Sequence, residues 1–117
     1  MSARSDIQTY REFWPYYLNE HSRPETRALH IAGTGLATAL LLASLATANL
    51  WLACAAVVAG YGPAWFAHFL VEENRPATFR YPVWSLLSDF RMAGTWLAGN
   101  LHRELKRAKQ RNPVTLR

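Results

Sequence analysis

The chain has 117 residues, which suits one domain, and half of them are hydrophobic. Its single cysteine, Cys54, excludes an intramolecular disulfide framework. The net charge of +5 favours contact with anionic lipid headgroups. Nucleic acid is not expected as a partner, because the basic residues belong to no recognisable nucleic-acid motif.

The first predicted element is an amphipathic helix over residues 5–20. Its apolar residues recur at spacings of three and four, as expected for one buried helical face. Trp14 and Tyr17 are typical of a membrane interface, where an aromatic ring has one apolar and one hydrated end. We therefore expect an interfacial helix that precedes the apolar part of the chain.

A block without Asp, Glu, Lys or Arg follows, from Ala28 to Val71. It is long enough for two membrane-spanning helices of about 20 residues each. The polar Thr47-Ala48-Asn49 is the expected turn, and Pro24 is suited to the first position of a helix. The sequence thus predicts spanning helices over residues 24–48 and 50–73, joined as a hairpin.

The last predicted segment covers residues 82–111. Pro82 to Gly99 reads as an amphipathic helix with Trp84 and Trp96 near its ends, and a basic helical tail runs from Leu101 to Arg111. The predicted fold class is an all-α integral membrane hairpin with flanking amphipathic or interfacial helices, in a single domain of residues 1–117. A homo-oligomer is possible.

All Lys and Arg residues lie outside the charge-free block. Because a hairpin returns both flanks to one side of the membrane, the positive-inside tendency predicts that both termini are cytoplasmic. The excess of Arg over Lys and the abundant alanine favour a bacterial inner membrane as the location.

Two histidines mark the ends of the hairpin. His30 lies about 18 residues before the predicted turn and His68 about 19 after it, so that both should reach the same depth. Glu72 follows His68 by four residues and should point the same way. Imidazole and carboxylate at this spacing indicate a metal site or, alternatively, an ion pair or hydrogen bond at a helix end.

Other polar residues could serve the same site. His21 precedes His30 by nine residues and could converge on it if its turn folds back. Arg27 and Arg75 could hold a substrate carboxylate or contact lipid phosphate. Asp89 could orient a histidine or be a solvated residue, and His102 is predicted to be an ordinary exposed helix residue.

Two motifs carry a resemblance to a known family. The run from His21 to Thr34 has a His, seven residues and then Leu-His, with Gly-Thr following. The run from Ala67 to Phe79 contains His-x-x-x-Glu-x-Asn-x-Pro-Ala and is followed by Tyr81-Pro82. From about Phe13 to Gly99 the chain resembles the family of the yeast 2-hydroxy-fatty-acid dioxygenase, which comprises small membrane proteins. Ala67 departs from the glycine that many relatives carry.

The resemblance implies an Fe(II)-dependent α-oxidation. A 2-hydroxy fatty acid and O2 would give carbon dioxide and a fatty acid shortened by one carbon. His21, His30, His68 and Glu72 would be the metal ligands, and Arg27, Arg75 and Asp89 would assist catalysis. The lipid bilayer would surround the hairpin.

Three alternatives remain open from the sequence. A haem or electron-transfer protein could use His30 and His68 as axial ligands. A non-enzymatic membrane scaffold could share the fold. The apolar hairpin could also be the core of a soluble bundle or oligomer.

Overall fold

The computed structural model describes residues 7–111, and within that range the secondary structure is entirely helical. The principal helices are α1 (Tyr10–Asn19), α2 (Pro24–Thr47), α3 (Leu50–Phe66), α4 (Pro82–Leu97) and α5 (Leu101–Arg111). A π-helical segment, Ala67–Glu72, continues α3, and a short 3-10 helix covers Ala77–Phe79. The predicted all-helical fold is confirmed.

The chain divides into two compact units. The first is Arg23–Pro76, which we call the hairpin unit. The second combines Met1–Ser22 with Ala77–Arg117, and we call it the flanking unit. The hairpin unit contains α2, α3 and the π-helical segment, whereas the flanking unit contains α1, α4 and α5.

The turn between α2 and α3 lies at the predicted polar residues. Ala48 adopts a left-handed conformation with φ of 54°, which stops α2. The Asn49 side chain then accepts a hydrogen bond of 3.0 Å from the backbone N–H of Trp51 and begins α3. This short connection makes the two helices an antiparallel hairpin, as the sequence predicts.

Small residues allow α2 and α3 to approach closely. A Cβ atom added at Gly33 would lie 2.9 Å from the backbone carbonyl oxygen of Ala59, and one at Gly60 would lie 3.4 Å from the Cβ of Ala37. Ala56 and Ala64 are buried on the same side of α3. Close backbone approach of this kind is typical of helix pairs in membranes.

The outer surface of the hairpin is apolar and exposed. Two helices, Pro24–Thr47 and Leu50–Glu72, are long and apolar enough to cross a membrane. Only 11% and 17% of the residues in their most apolar windows are buried within the chain, so most of this apolar surface is uncovered. Leu45 and Trp51, near the turn, are 81% and 80% exposed. The prediction of two candidate spanning helices is confirmed.

The flanking unit is built around an aromatic core on α1. Phe13, Trp14, Tyr17 and Leu18 are buried there, and α1 packs against both α4 and α5. The ring of Phe13 lies 5.3 Å from that of Tyr81, between centroids. The aromatic face predicted for a membrane interface therefore forms an internal core.

The first helix begins later than the sequence suggests. Thr9 accepts a hydrogen bond of 3.2 Å from the backbone N–H of Glu12, and the Glu12 carboxylate accepts one of 3.3 Å from the N–H of Gln8. This reciprocal cap starts α1 at Tyr10. The predicted start at Ser5 lies outside the described residues.

Candidate metal centre

His68 lies on the π-helical segment that extends α3. The segment ends at Glu73, whose φ of 60° is left-handed, and the backbone N–H of Asn74 donates to the carbonyl oxygen of His68 at 2.8 Å. Segments of π-helix are frequent at functional sites. The local backbone therefore folds Asn74 back toward His68.

The Asn74 side chain fixes the tautomer of His68. Its Oδ1 atom lies 2.7 Å from His68 Nδ1. Because a carbonyl oxygen can only accept, Nδ1 must carry the proton and donate it. The lone pair of His68 is then on Nε2, the atom that a metal would bind.

His30 meets His68 inside the hairpin unit. The two Nε2 atoms are 3.2 Å apart, and the rings are nearly perpendicular at 82°. Both side chains are buried. Since two lone pairs would repel at this distance, either a proton on His30 Nε2 or a cation must lie between the two nitrogens.

The 3.2 Å spacing suits two neighbouring ligands of one metal ion. With metal–nitrogen bonds of about 2.1 Å, ligands at a right angle lie about 3.0 Å apart. Two axial ligands on opposite sides of a haem iron would need about 4 Å. The geometry therefore favours a non-haem metal over a haem that uses both histidines.

His21, in the flanking unit, is held in a comparable way. Its Nδ1 atom donates to the backbone carbonyl oxygen of Tyr17 at 2.6 Å, which leaves the lone pair on Nε2. The rings of His21 and Tyr17 lie 4.2 Å apart, between centroids. His21 is 1% exposed, so the protein holds a polar ring in a fixed orientation away from water.

Asp89 acts on this arrangement through Tyr17. The Tyr17 hydroxyl donates to Asp89 Oδ1 at 2.5 Å. Burial and then the Asp89 charge raise the pKa of Tyr17 well above its usual value, so the hydroxyl stays protonated as a donor. Asp89 therefore contacts the tyrosine that lies against His21, and its role in orienting a histidine stays a prediction.

His21, His30 and His68 are all buried, and they are the three histidines that could hold a metal ion. Imidazole nitrogens suit iron, zinc, copper or nickel, whereas calcium and magnesium prefer oxygen ligands. Each of His21 and His68 presents Nε2 because its Nδ1 is bonded within the protein. The donor chemistry therefore fits a transition metal such as iron.

Glu72 does not belong to the three-histidine set. Its Oε2 atom accepts a hydrogen bond of 2.6 Å from the backbone N–H of Arg23, the residue that caps α2. The Arg23 side chain makes no capping hydrogen bond, so the Glu72 carboxylate supplies a negative charge at the positive N-terminal end of α2. Glu72 thus contacts a helix terminus, as one of the two interpretations of the sequence expects, and its role as a metal ligand stays a prediction.

The remaining predicted site residues differ in exposure. Arg27 is half-buried on α2, where it interacts electrostatically with Glu72 and Glu25. Arg75 is exposed, and so is His102 on α5. The three candidate ligands are buried, whereas His102 is exposed, as predicted for an ordinary helix residue.

Two residues of the site environment were not predicted from the sequence. Asn74 lies within the second motif, and its spacing of six residues from His68 was the signal that could have indicated their contact. Thr26 is fully buried on α2, and its Oγ1 atom has no hydrogen-bond partner in the described part of the chain. Thr26 precedes His30 by four residues, which places the unpaired hydroxyl on the same face of the helix.

No curated protein and no solved structure matches the chain. The family described as 2-hydroxy-palmitic acid dioxygenase Mpo1-like matches residues 7–101, a range that includes all three histidines, Asn74 and Asp89. Because that match covers most of the sequence, the chain belongs to the Mpo1-like family.

Proposed function

We propose that the protein is an Fe(II)-dependent dioxygenase that shortens 2-hydroxy fatty acids by one carbon. A 2-hydroxy fatty acid and O2 would be converted to the shorter fatty acid, CO2 and water. The observation that carries the proposal is the buried contact between His30 and His68, in a chain of this family, and we propose His21 as a third ligand. When bound, iron would supply the reactivity toward O2 that amino-acid side chains lack.

The polar residues beside His30 suit the substrate head group. Arg27 and Thr26 lie three and four residues before His30 on α2, so all three share one side of the helix. Arg27 would bind the substrate carboxylate through its guanidinium, and Thr26 would donate its unpaired hydroxyl to an oxygen of the head group. Arg27 is preferred over Arg75 for this role because it is half-buried.

We further propose that the hairpin is embedded in a bilayer, with both termini in the cytoplasm of a bacterial cell. The exposed apolar surface of α2 and α3 supports this location, since such a surface is costly in water. The acyl chain of the substrate would then remain in an apolar medium while its head group meets the histidines. A soluble bundle would instead require a partner that covers both helices.

The test begins with anaerobic purification in detergent and metal analysis. We expect about one iron per chain, with loss of iron in His30→Ala and His68→Ala and retention in the control His102→Ala. Oxygen uptake and mass spectrometry should then detect pentadecanoate from 2-hydroxypalmitate, and no product from palmitate.

Other outcomes would favour the alternatives. Bound iron without oxygen uptake on 2-hydroxypalmitate would support the metal centre but reject the proposed substrate. A Soret band in the purified protein would identify a haem protein. No bound metal, with function unchanged in His30→Ala, would indicate a scaffold.

A further inference from the structure

The outer face of α4 carries a continuous apolar stripe. Its members recur at helical spacing and are between 45% and 77% exposed: Val83, Leu86, Leu87, Phe90 and Leu97. At 3.6 residues per turn they fall on one side of the helix. We call these five residues the α4 stripe.

The opposite face of α4 is buried and carries polar side chains beside the buried Met92. Ser85 and Ser88 are 2% and 0% exposed. The hydroxyls of Tyr10 and Ser88 lie 2.9 Å apart, and Asp89 accepts the hydrogen bond from Tyr17. The helix therefore turns hydroxyl and carboxylate groups toward α1 while its large aliphatic side chains point outward, which is unusual for a surface helix in water.

We propose that α4 is a membrane anchor that lies in the plane of the bilayer, with the α4 stripe among the upper acyl chains. The proposal rests on the membrane location given above for the hairpin. It adds a second attachment in the flanking unit, which contains no candidate spanning helix among its described residues.

The length and polarity of α4 favour an in-plane helix over a third span. Its 16 residues extend roughly 24 Å, less than the hydrocarbon thickness of about 30 Å. Asp89 and Arg91 lie in its middle, where a span would be least able to accept charge. An interfacial helix keeps such groups on its polar side.

The charges of the flanking unit favour lipid over a second copy of the chain. Arg80 and Arg91 are exposed beside the stripe. Exposed cations also cover α5: Arg103, Lys106, Arg107 and Lys109. A basic surface attracts anionic headgroups but would repel an identical copy. The stripe also consists of bulky side chains, whereas close pairing of two helices needs small residues at the contact.

The depth of single probes in the membrane tests the proposal. In a Cys54→Ala background, a fluorophore would be attached at V83C, L87C or L97C of the full chain, in nanodiscs that contain phosphatidylglycerol. Lipids brominated at different positions report probe depth, and aqueous iodide reports exposure to water. V57C on α3 and K106C on α5 serve as controls.

We expect the three α4 probes to share one shallow depth, about 5–10 Å below the headgroups. The V57C probe should be deep and the K106C probe aqueous. Iodide quenching at α4 without bromolipid quenching would overturn the proposal. So would a graded depth from V83C to L97C, which identifies a span, or energy transfer between copies, which identifies a dimer. An aqueous V57C probe would instead reject the membrane location of the hairpin.

Discussion

At the scale of single residues, the site depends on hydrogen bonds that select one nitrogen of a histidine. Asn74 holds the proton of His68 on Nδ1, and the Tyr17 carbonyl does the same for His21. Such contacts decide which atom is available to a metal and limit rotation of the ring. The amide at position 74 therefore belongs to the candidate centre although it is not itself a ligand.

Asn74→Ala should weaken metal binding about 10- to 100-fold, because His68 loses the acceptor that fixes its tautomer. Asn74→Asp retains an acceptor and should bind metal nearly as well as the unmodified chain. Competition with a chromophoric chelator measures the affinity. Asn100→Ala, which alters an exposed partner of Arg103, is the matched control. Equal affinity in Asn74→Ala would show that Asn74 does not position His68.

At the scale of elements, the hairpin depends on close contact between two helix backbones. The Cβ of Gly33→Ala would lie 2.9 Å from the Ala59 carbonyl, which belongs to the backbone of α3 and cannot move alone. We expect a loss of stability of about 1–3 kcal/mol. Thermal unfolding in detergent, followed by circular dichroism, measures the effect.

Gly35→Ala is the matched control on the same helix, since no atom lies within 4 Å of its added Cβ. It should leave stability unchanged or raise it by up to about 1 kcal/mol, as expected for alanine in place of glycine. Equal effects at the two positions would contradict the close contact at Gly33.

The elements were largely predictable because their signals are local. The charge-free block and Thr47-Ala48-Asn49 contain the information for two helices and a turn, and Pro24 marks the start of α2. The π-helical turn at His68 was not predictable, because it depends on backbone hydrogen bonds rather than on side-chain periodicity. The burial of the α1 aromatics was also missed, since the same pattern suits a membrane interface and a protein core.

The candidate site was predictable only in part, for similar reasons. Equal distances from the turn predict that His30 and His68 meet. The contact of Glu72 with Arg23 joins residues far apart in sequence, and no spacing rule distinguishes that contact from metal ligation. His21 was assigned by resemblance, since Pro24 separates it from the helix of His30.

At the scale of the whole molecule, stability should fall in alkaline solution. Burial, followed by the charge of Glu20, raises the pKa of Tyr16 from 10.0 to about 12. The folded chain therefore holds this proton more tightly than the unfolded chain, and stability is lost as pH rises from about 10 to 12. Tyr17, whose pKa is also raised, acts in the same direction.

Denaturant unfolding at several pH values would measure this loss. Tyr16→Phe removes the ionisable hydroxyl and should make the decline between pH 10 and 12 shallower. Recovery on return to pH 8 is the control for irreversible damage. An identical decline in Tyr16→Phe would assign alkaline sensitivity to other groups.

The π-helical segment has a consequence for how one short stretch meets two environments. A π turn holds an extra residue, and each residue advances a helix by about 100°, so the segment resets the rotational phase of the chain. Ala67 and His68 are buried while Phe69 and Leu70, the next two residues, are 46% and 66% exposed. One short stretch therefore directs the candidate ligand inward and, two residues later, continues the apolar outer surface of α3.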